Sequence, residues 1–366
     1  MERNWISRGR ISSLTVRDTE KYRRRNPAQT IPELGEFNTC VVIPCYNENE
    51  TLGATLNSLK ESAEYSAAKV AVLVVVNYPA GGEEADSLEL FRRINACEFT
   101  SPPCFAIYAP GLKGGVGEAR KIGMDSFLQS LPVEKAPYTL ICSMDGDTLV
   151  DKSYFKEVEH FINTHDCGGV SIGLRHYQAC DVEQEKAIRA YEAYLERYAA
   201  RLKYCGSPYA FHTVGSAFAV KGEAYMKCGG MKVRQAGEDF YFLQEIAKTS
   251  GVQVLEKTLV FPSPRISART PFGTGQAVRD IMKGEALKEV SDGAFERLKK
   301  LLECVTLENM DTLAPEFPER EFLEKEKFFK VWPGIRQNTP KDQLCRAFHT
   351  WFDGLKTLRF LHWCDA

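Results

Sequence analysis

The chain alternates short, wholly apolar runs with stretches in which apolar residues recur every third or fourth position. TCVVIP at 39–44 is β-branched at its centre and ends on proline, which predicts a buried strand. In the NENETLGATLNSL that follows, Leu52, Leu56 and Leu59 share a helical face, with Asn47 and Glu50 as the expected capping pair. KVAVLVVVN (69–77) predicts a second buried strand, and CFAIYA (104–109) and YTLICSM (138–144) predict a third and a fourth strand. DSLELFRRI (86–94) and the stretch from GGVGEAR to about Gln129 predict helices between them. Strands separated by helices imply a parallel α/β sheet. Ligands of such sheets sit beyond the carboxyl ends of the strands. Three unusual loops fall there: PCYNEN, GLKGGVG and DGD.

The rhythm changes after about residue 170. Residues 182–204 predict one helix, with Ile188, Tyr191, Leu195, Tyr198 and Leu202 on a face. HTVGSAFAV (212–220) predicts a strand, GEDFYFLQEIAKTSG (237–251) a helix and VQVLEKTLVF (252–261) a strand. From about 271 the pattern is helical and charged, through ALKEV, FERLKKLLECV and FLEKEKFF. The expected organisation is a basic N-terminal extension (1–38, with KYRRR at 21–25), an α/β domain (39–270) and a helical C-terminal region (271–366).

Composition narrows the setting. Hydrophobic residues make up 44% and charged residues 26%, as in a soluble globular protein. The net charge of −2 offers no global field to draw nucleic acid or an anionic membrane. No uncharged apolar run approaches the ~18 residues of a membrane-spanning helix. The N-terminus lacks the apolar core of a signal peptide. The twelve cysteines form no C-x-x-C pair, so zinc and thioredoxin-like sites lack their spacing. They read as mostly reduced core thiols, and the expected location is cytoplasmic, at most peripheral to a membrane. KYRRR fits either a solvated arm or a contact with an anionic surface.

Four segments carry candidate chemistry. Asp145 and Asp147 flank Gly146 after a predicted strand, and residues at i and i+2 of an extended segment point the same way. Two such carboxylates suit Mg2+ or Mn2+; a D-G turn with Asp147 as a helix cap explains them equally. An EF-hand fails, because Lys156 stands where the bidentate Glu is needed. PGLKGGVGEAR lacks G-K-[ST] and has only two of the three dinucleotide-loop glycines, so it is either a surface turn or an anion site using Lys113 and Arg120. GEDF puts Glu238 and Asp239 in a helix's first turn, where the macrodipole favours ionised acids; that alone explains them structurally, and it equally suits a general base. Arg265 and Arg269 in FPSPRISARTPFGTG can face a departing diphosphate or solvent.

Taken in order, PCYNENETL, KGGVGEAR, DGD and GEDF resemble a family-2-type nucleotide-sugar glycosyltransferase with the GT-A fold, over about residues 39–265. The resemblance implies that Pro44, Tyr46 and Glu48 line the nucleotide base and ribose. It implies that Asp145 approaches the ribose while Asp147 binds Mn2+ or Mg2+ on the diphosphate, with Lys113 and Arg120 in the nucleotide-binding region. Asp239 becomes the base, beside Glu238, and Gly215 and Ser216 fall on the acceptor side. Two departures stand out. VVVNYPAGG replaces an acidic D-D-G-S, leaving the amide of Asn77 to meet a pyrimidine edge. The Q-x-x-R-W motif of processive synthases is missing, which argues against extrusion of a long polymer.

The implied reaction is inverting, non-processive transfer of a hexosyl-type sugar from a nucleoside-diphosphate donor, expected to be a UDP-sugar. The acceptor hydroxyl belongs to a glycan, a lipid-linked molecule or a small molecule. His212, His349 and His362 are candidate further metal ligands. Tyr191, Tyr194 and Tyr198 are either sugar-stacking or core residues. Two rivals are weaker. A sugar-phosphate nucleotidyltransferase would place a basic glycine-rich loop after the first strand, where PCYNENE is acidic. A catalytically silent nucleotide-sugar-binding protein would have no need of both acid pairs.

Overall fold

The structure is a computed structural model that describes residues 14–82, 85–99, 101–266, 273–305 and 319–366. The chain forms two compact units, one of Arg10–Tyr191 with His212–Glu285, the other including Glu192–Phe211 and Ala286–Ala366.

The larger unit is built on one eight-stranded sheet. Its strands are β1 (Thr39–Cys45), β2 (Val70–Pro79), β3 (Cys104–Leu112), β4 (Leu140–Ser143), β5 (Leu149–Val150), β6 (Gly169–Leu174), β7 (Phe218–Lys221) and β8 (Val252–Phe261), in the order β3-β2-β1-β4-β7-β6-β8-β5. β3, β2, β1 and β4 run parallel, as do β6 and β8. β7 is antiparallel to both neighbours, and β5 to β8. All seven residues of β1 are buried, so the strand is covered on both faces and shows no polar alternation. This is the mixed, mostly parallel α/β sheet expected from the apolar runs.

Helices α1 (Val16–Arg25), α2 (Leu52–Ser66), α3 (Ala85–Asn95), α4 (Gly115–Ser130), α5 (Tyr154–Thr164), α6 (Val182–Tyr204), α7 (Gly222–Lys227), α8 (Glu238–Ser250) and α9 (Thr274–Met282) follow. The basic stretch is partly structural. α1 opens on a Thr15–Asp18 capping box, and Tyr22 donates to the buried Asp125 of α4 at 2.6 Å. Arg23 donates to the carbonyls of Leu128 (2.5 Å) and Leu131 (2.8 Å), satisfying free carbonyls at the end of α4.

The smaller unit takes α6 from Glu192 onward, with α10 (Asp292–Glu303), α11 (Arg320–Lys325), α12 (Phe328–Gln337), α13 (Leu344–Trp351) and α14 (Gly354–Cys364). Its core is aromatic: Phe295, Phe322, Phe328, Trp332, Phe348, Phe352 and Phe360 are buried together. Tyr198 packs edge-on against Phe295 at 5.9 Å and Tyr194 stacks on Tyr198 at 6.4 Å, so these two belong to the core side of the sequence alternatives. In the larger unit Tyr191 packs with Ile188 and Val278. His349 is buried in the smaller unit, where burial pushes its pKa down to about 4.

Several expectations are corrected. Asn47 does not cap a helix: it has left-handed backbone (φ 53°), α2 starts at Leu52, and Thr51 donates its hydroxyl to Glu48 instead. The strand expected at 212–220 begins at Phe218, because residues before it turn to pack beside α4 and β4. β5 and β6 were not expected: one has two residues, and the other starts and nearly ends on glycine. ALKEV is irregular, and α10 starts only after Ser291 caps it through Ala294 N.

Candidate active site

Because β1 to β4 are parallel, PCYNEN, Asn77, Lys113 and DGD all emerge at one edge of the sheet. At the end of β1 Pro44 is buried; beyond it Tyr46 is half-buried, and the turn at Asn47 sends the Glu48 side chain back inside, 6% exposed. Beyond β4, Thr148 N closes a turn onto the Asp145 carbonyl, and Thr55 donates to the Gly146 carbonyl at 3.0 Å. This turn splits the two acids. Asp145 goes to Arg120, while Asp147 goes to Arg265 and lies near Glu48.

Arg120, in the second turn of α4, is buried and makes two ion pairs. Nη2 donates to Asp145 Oδ1 at 2.5 Å, and Nη1 donates to Glu238 Oε1. It therefore ties the end of β4 to the start of α8. Gly215 makes room for it, and Gly117 for its partner Glu238. A Cβ on Gly215 would fall 2.4 Å from Arg120 Nη2, and one on Gly117 would fall 2.8 Å from Glu238 Cβ. The Gly215 carbonyl is held by Ser143 Oγ at 2.7 Å, and Ser216 is buried.

Gly237, in left-handed conformation (φ 67°), opens α8 and places Glu238 and Asp239 in its first turn, as the sequence implied. Asp239 accepts from Phe240 N at 2.7 Å. The macrodipole does not dominate here. Burial, and then the neighbouring Glu238, push the Asp239 pKa up to about 7, against the opposing pull of Arg120.

Arg265 covers the other acid. It grips Glu48 through two bonds (Nη2–Oε1 2.7 Å, Nη1–Oε2 3.1 Å) and reaches Asp147 Oδ2 at 2.9 Å. Burial, then Asp145 and Glu48, push Asp147 up to about 6 even so. Five carboxylates (Glu48, Asp145, Asp147, Glu238, Asp239) thus face two guanidiniums, a formal −3 when all are ionised. Hard oxygen donors in excess negative charge fit Mg2+ or Mn2+. Among the described residues no three His, Cys, Asp or Glu converge on one metal position. An ion on Asp147, with Asp145 near, would complete its shell from phosphate and water, as Mg2+ commonly does.

The remaining candidates spread out. Lys113 has an exposed side chain, and its backbone N–H, like that of Gly114, is taken by Glu118 Oε2 (3.1 and 2.7 Å). The amide N–H groups that a phosphate would use are thus engaged by an acid of α4's own first turn. Lys113 and Arg120 share no exposed face. Asn77 is buried and donates its side-chain amide to the carbonyls of Val75 (3.0 Å) and Cys45 (3.3 Å). His212 gives its carbonyl to Ser171 Oγ at 2.8 Å, and His362 is exposed on α14. Arg269 lies outside the described residues.

A raised pKa has a stability consequence. Asp147 binds its proton more tightly folded than unfolded, so the fold loses stability as pH rises from the ordinary carboxylate range through about 6. Asp147→Asn is expected to stabilise the metal-free protein at pH 7.5 by up to about 3 kcal/mol, two pKa units at about 1.4 kcal/mol each. The gain should vanish at pH 4. Thermal melts of both proteins with chelator at the two pH values check this, and an unchanged Tm at pH 7.5 would refute it.

The carboxyl edge of the parallel strands thus carries a D-x-D turn, tied through a buried arginine to an acid pair at a helix start. The chain belongs to Glycosyl transferase family 2, whose model matches residues 40–229, and it is a glycosyltransferase. The match ends before α8, so Glu238, Asp239 and Arg265 lie outside it. No curated protein matches the chain in sequence. Among solved structures, it is similar to Staphylococcus aureus TarS 1-349, at 14% identity over 88% of this chain and 89% of that one, with a TM-score of 0.43. The same TarS fragment in complex with UDP-GlcNAc matches at 13%, over 90% and 87%, with a TM-score of 0.45. Mannosyltransferase PcManGT from Pyrobaculum calidifontis, in complex with GDP-Man and Mn2+, matches at 14%, over 92% and 93%, also with a TM-score of 0.45.

Proposed function

We propose that this glycosyltransferase moves one sugar at a time, with inversion, from a UDP-sugar to an acceptor hydroxyl, using Mn2+ or Mg2+. The observation that carries the reading is the double ion pair of Arg120, which gathers the D-x-D and E-D acids into one cluster. Asp239 takes the acceptor proton. Its partner Glu238 is engaged by Arg120, which leaves Asp239 as the acid of the pair available for that work. Asp145, oriented by Arg120, faces the ribose, and Pro44, Tyr46 and Glu48 wall the nucleoside. When bound, a divalent cation on Asp147 supplies positive charge against the charge that builds on the leaving diphosphate. Arg265, and Arg269 beyond the described residues, add to it; Lys113 serves the outer phosphate side.

Asn77 supports a uracil-type base. With its N–H groups turned to Val75 and Cys45, it keeps a carbonyl oxygen for a ring N–H, which uracil has and cytosine lacks. The twelve free cysteines favour the cytoplasm, and no helix among the described residues is long and apolar enough to cross a membrane. The exposed Arg24 and Arg25 of α1 suit a peripheral contact with an anionic membrane.

A donor-hydrolysis screen across nucleotide sugars, with and without Mn2+, tests the reading. Manganese-dependent release of UDP is expected, and Asp147→Ala should abolish the metal dependence together with most of the rate. Pyrophosphate released from a nucleoside triphosphate and a sugar phosphate would instead support the nucleotidyltransferase. Binding of a nucleotide sugar with Mn2+ but neither hydrolysis nor transfer of its sugar would support the silent binding protein.

A further inference from the structure

The acids assigned to the metal are not bare. Arg265 lies across one of them, Asp147, and across Glu48 beside it, with both its terminal nitrogens on Glu48 and one also 2.9 Å from Asp147 Oδ2. Glu48 comes from the loop after β1, Asp147 from the turn after β4 and Arg265 from the segment after β8. Glu48 and Asp147 are only 6% and 12% exposed, while Arg265 is 38% exposed, so the guanidinium forms the outer layer. A divalent ion bound to an Asp147 oxygen at about 2.1 Å would stand within a few ångströms of that guanidinium. Two positive groups so close repel strongly in a partly buried site. A diphosphate between them removes the conflict, because its oxygens accept from the arginine and ligate the ion together.

We propose that Arg265 is a tethered counter-cation that occupies the metal-binding Asp147 in the donor-free enzyme, so that the metal binds well only together with the donor diphosphate. Glu48 is the arginine's anchor, through its two-point contact, and Asp147 is the shared acid. The donor draws Arg265 outward onto phosphate and opens Asp147 to the ion. Metal and donor therefore bind with positive coupling, and the donor-free site stays closed to adventitious divalent ions. This rests on the metal role of Asp147 but concerns Arg265, which that role does not itself constrain.

The test is Mn2+ binding to the donor-free protein, read from the electron paramagnetic resonance signal of free Mn2+. Arg265→Gln is expected to bind Mn2+ about tenfold or more tightly than wild type, within the usual range of coupling between sites. Arg265→Lys, which keeps the charge, should stay near wild type. In the wild type, UDP should tighten Mn2+ binding, after correction for Mn2+–UDP in solution, and the factor should be smaller in Arg265→Gln. Equal Mn2+ affinity in wild type and Arg265→Gln, each folded by circular dichroism, overturns the proposal; if the wild type hydrolyses a UDP-sugar in the same preparation, the transferase reading stands. A wild type whose Mn2+ affinity is indifferent to UDP overturns it without any variant.

Discussion

Asp239→Asn is expected to lower kcat for sugar transfer about a thousandfold or more, within the range for loss of a general base, while the affinity for UDP with Mn2+ changes little. The substitution keeps the shape of the side chain and removes only its capacity to take a proton. Arg120 remains paired with Glu238 and Asp145, so the donor side of the cluster has no reason to move. The pH dependence gives a second reading of the same residue. Burial and Glu238 push Asp239 up to about 7, and the base must be ionised to act. In wild type kcat/KM should therefore rise with pH and level off above about 7, and the residual activity of Asp239→Asn should lack that limb. Isothermal titration with UDP and Mn2+, beside single-turnover transfer, separates binding from chemistry. Near-normal turnover in the variant would remove Asp239 as the base. Glu238→Gln makes the contrast: it disturbs Arg120 and should weaken donor binding as well as rate.

The sequence exposed the parts of this enzyme that are local. β1, β2 and β4 were readable because strands buried on both faces are apolar runs bounded by proline, glycine or charge, and the half-buried edge strand β3 because its CFAIYA is apolar too. α8 and its acids were readable because a glycine stands before a helical pattern. β6 escaped notice because GVSIGL carries two glycines and no alternation, and β5 because two residues make no pattern. The site divides in the same way. Which residues are acidic is a property of the chain; whom they meet is a property of the packing. Arg120 in GEAR reads as a free anion-binding side chain, yet it is buried between two carboxylates from distant segments. Nothing near Glu48 foretells Arg265. Gly215, placed by resemblance on the acceptor side, has a local reason to be glycine only once the guanidinium lies against it. The macrodipole argument for Asp239 gave the wrong direction, because it counted the helix and not the burial of the carboxyl or the acid beside it.

Arg120→Met is the substitution expected to damage the fold most. It leaves Glu238, 5% exposed, as a buried carboxylate without its counter-charge. Removing one partner of a buried ion pair costs about 3–5 kcal/mol, and in a unit of this size that corresponds to a fall in Tm of about 10 °C or more. The damage should be electrostatic rather than steric, since methionine fills much of the same volume. That makes it reparable: the double variant Arg120→Met with Glu238→Gln should recover at least half of the lost stability, because the neutral amide no longer needs the arginine. Activity should not return with it. Asp145 would still lack the guanidinium that orients it, and the link between the end of β4 and the start of α8 would still be cut. Thermal melts and UDP binding on the two variants read the two effects separately. Wild-type stability in Arg120→Met would mean that the carboxylates find other partners. Recovered donor affinity in the double variant would mean that Asp145 holds its place without Arg120, and that the ion pairs serve the fold alone.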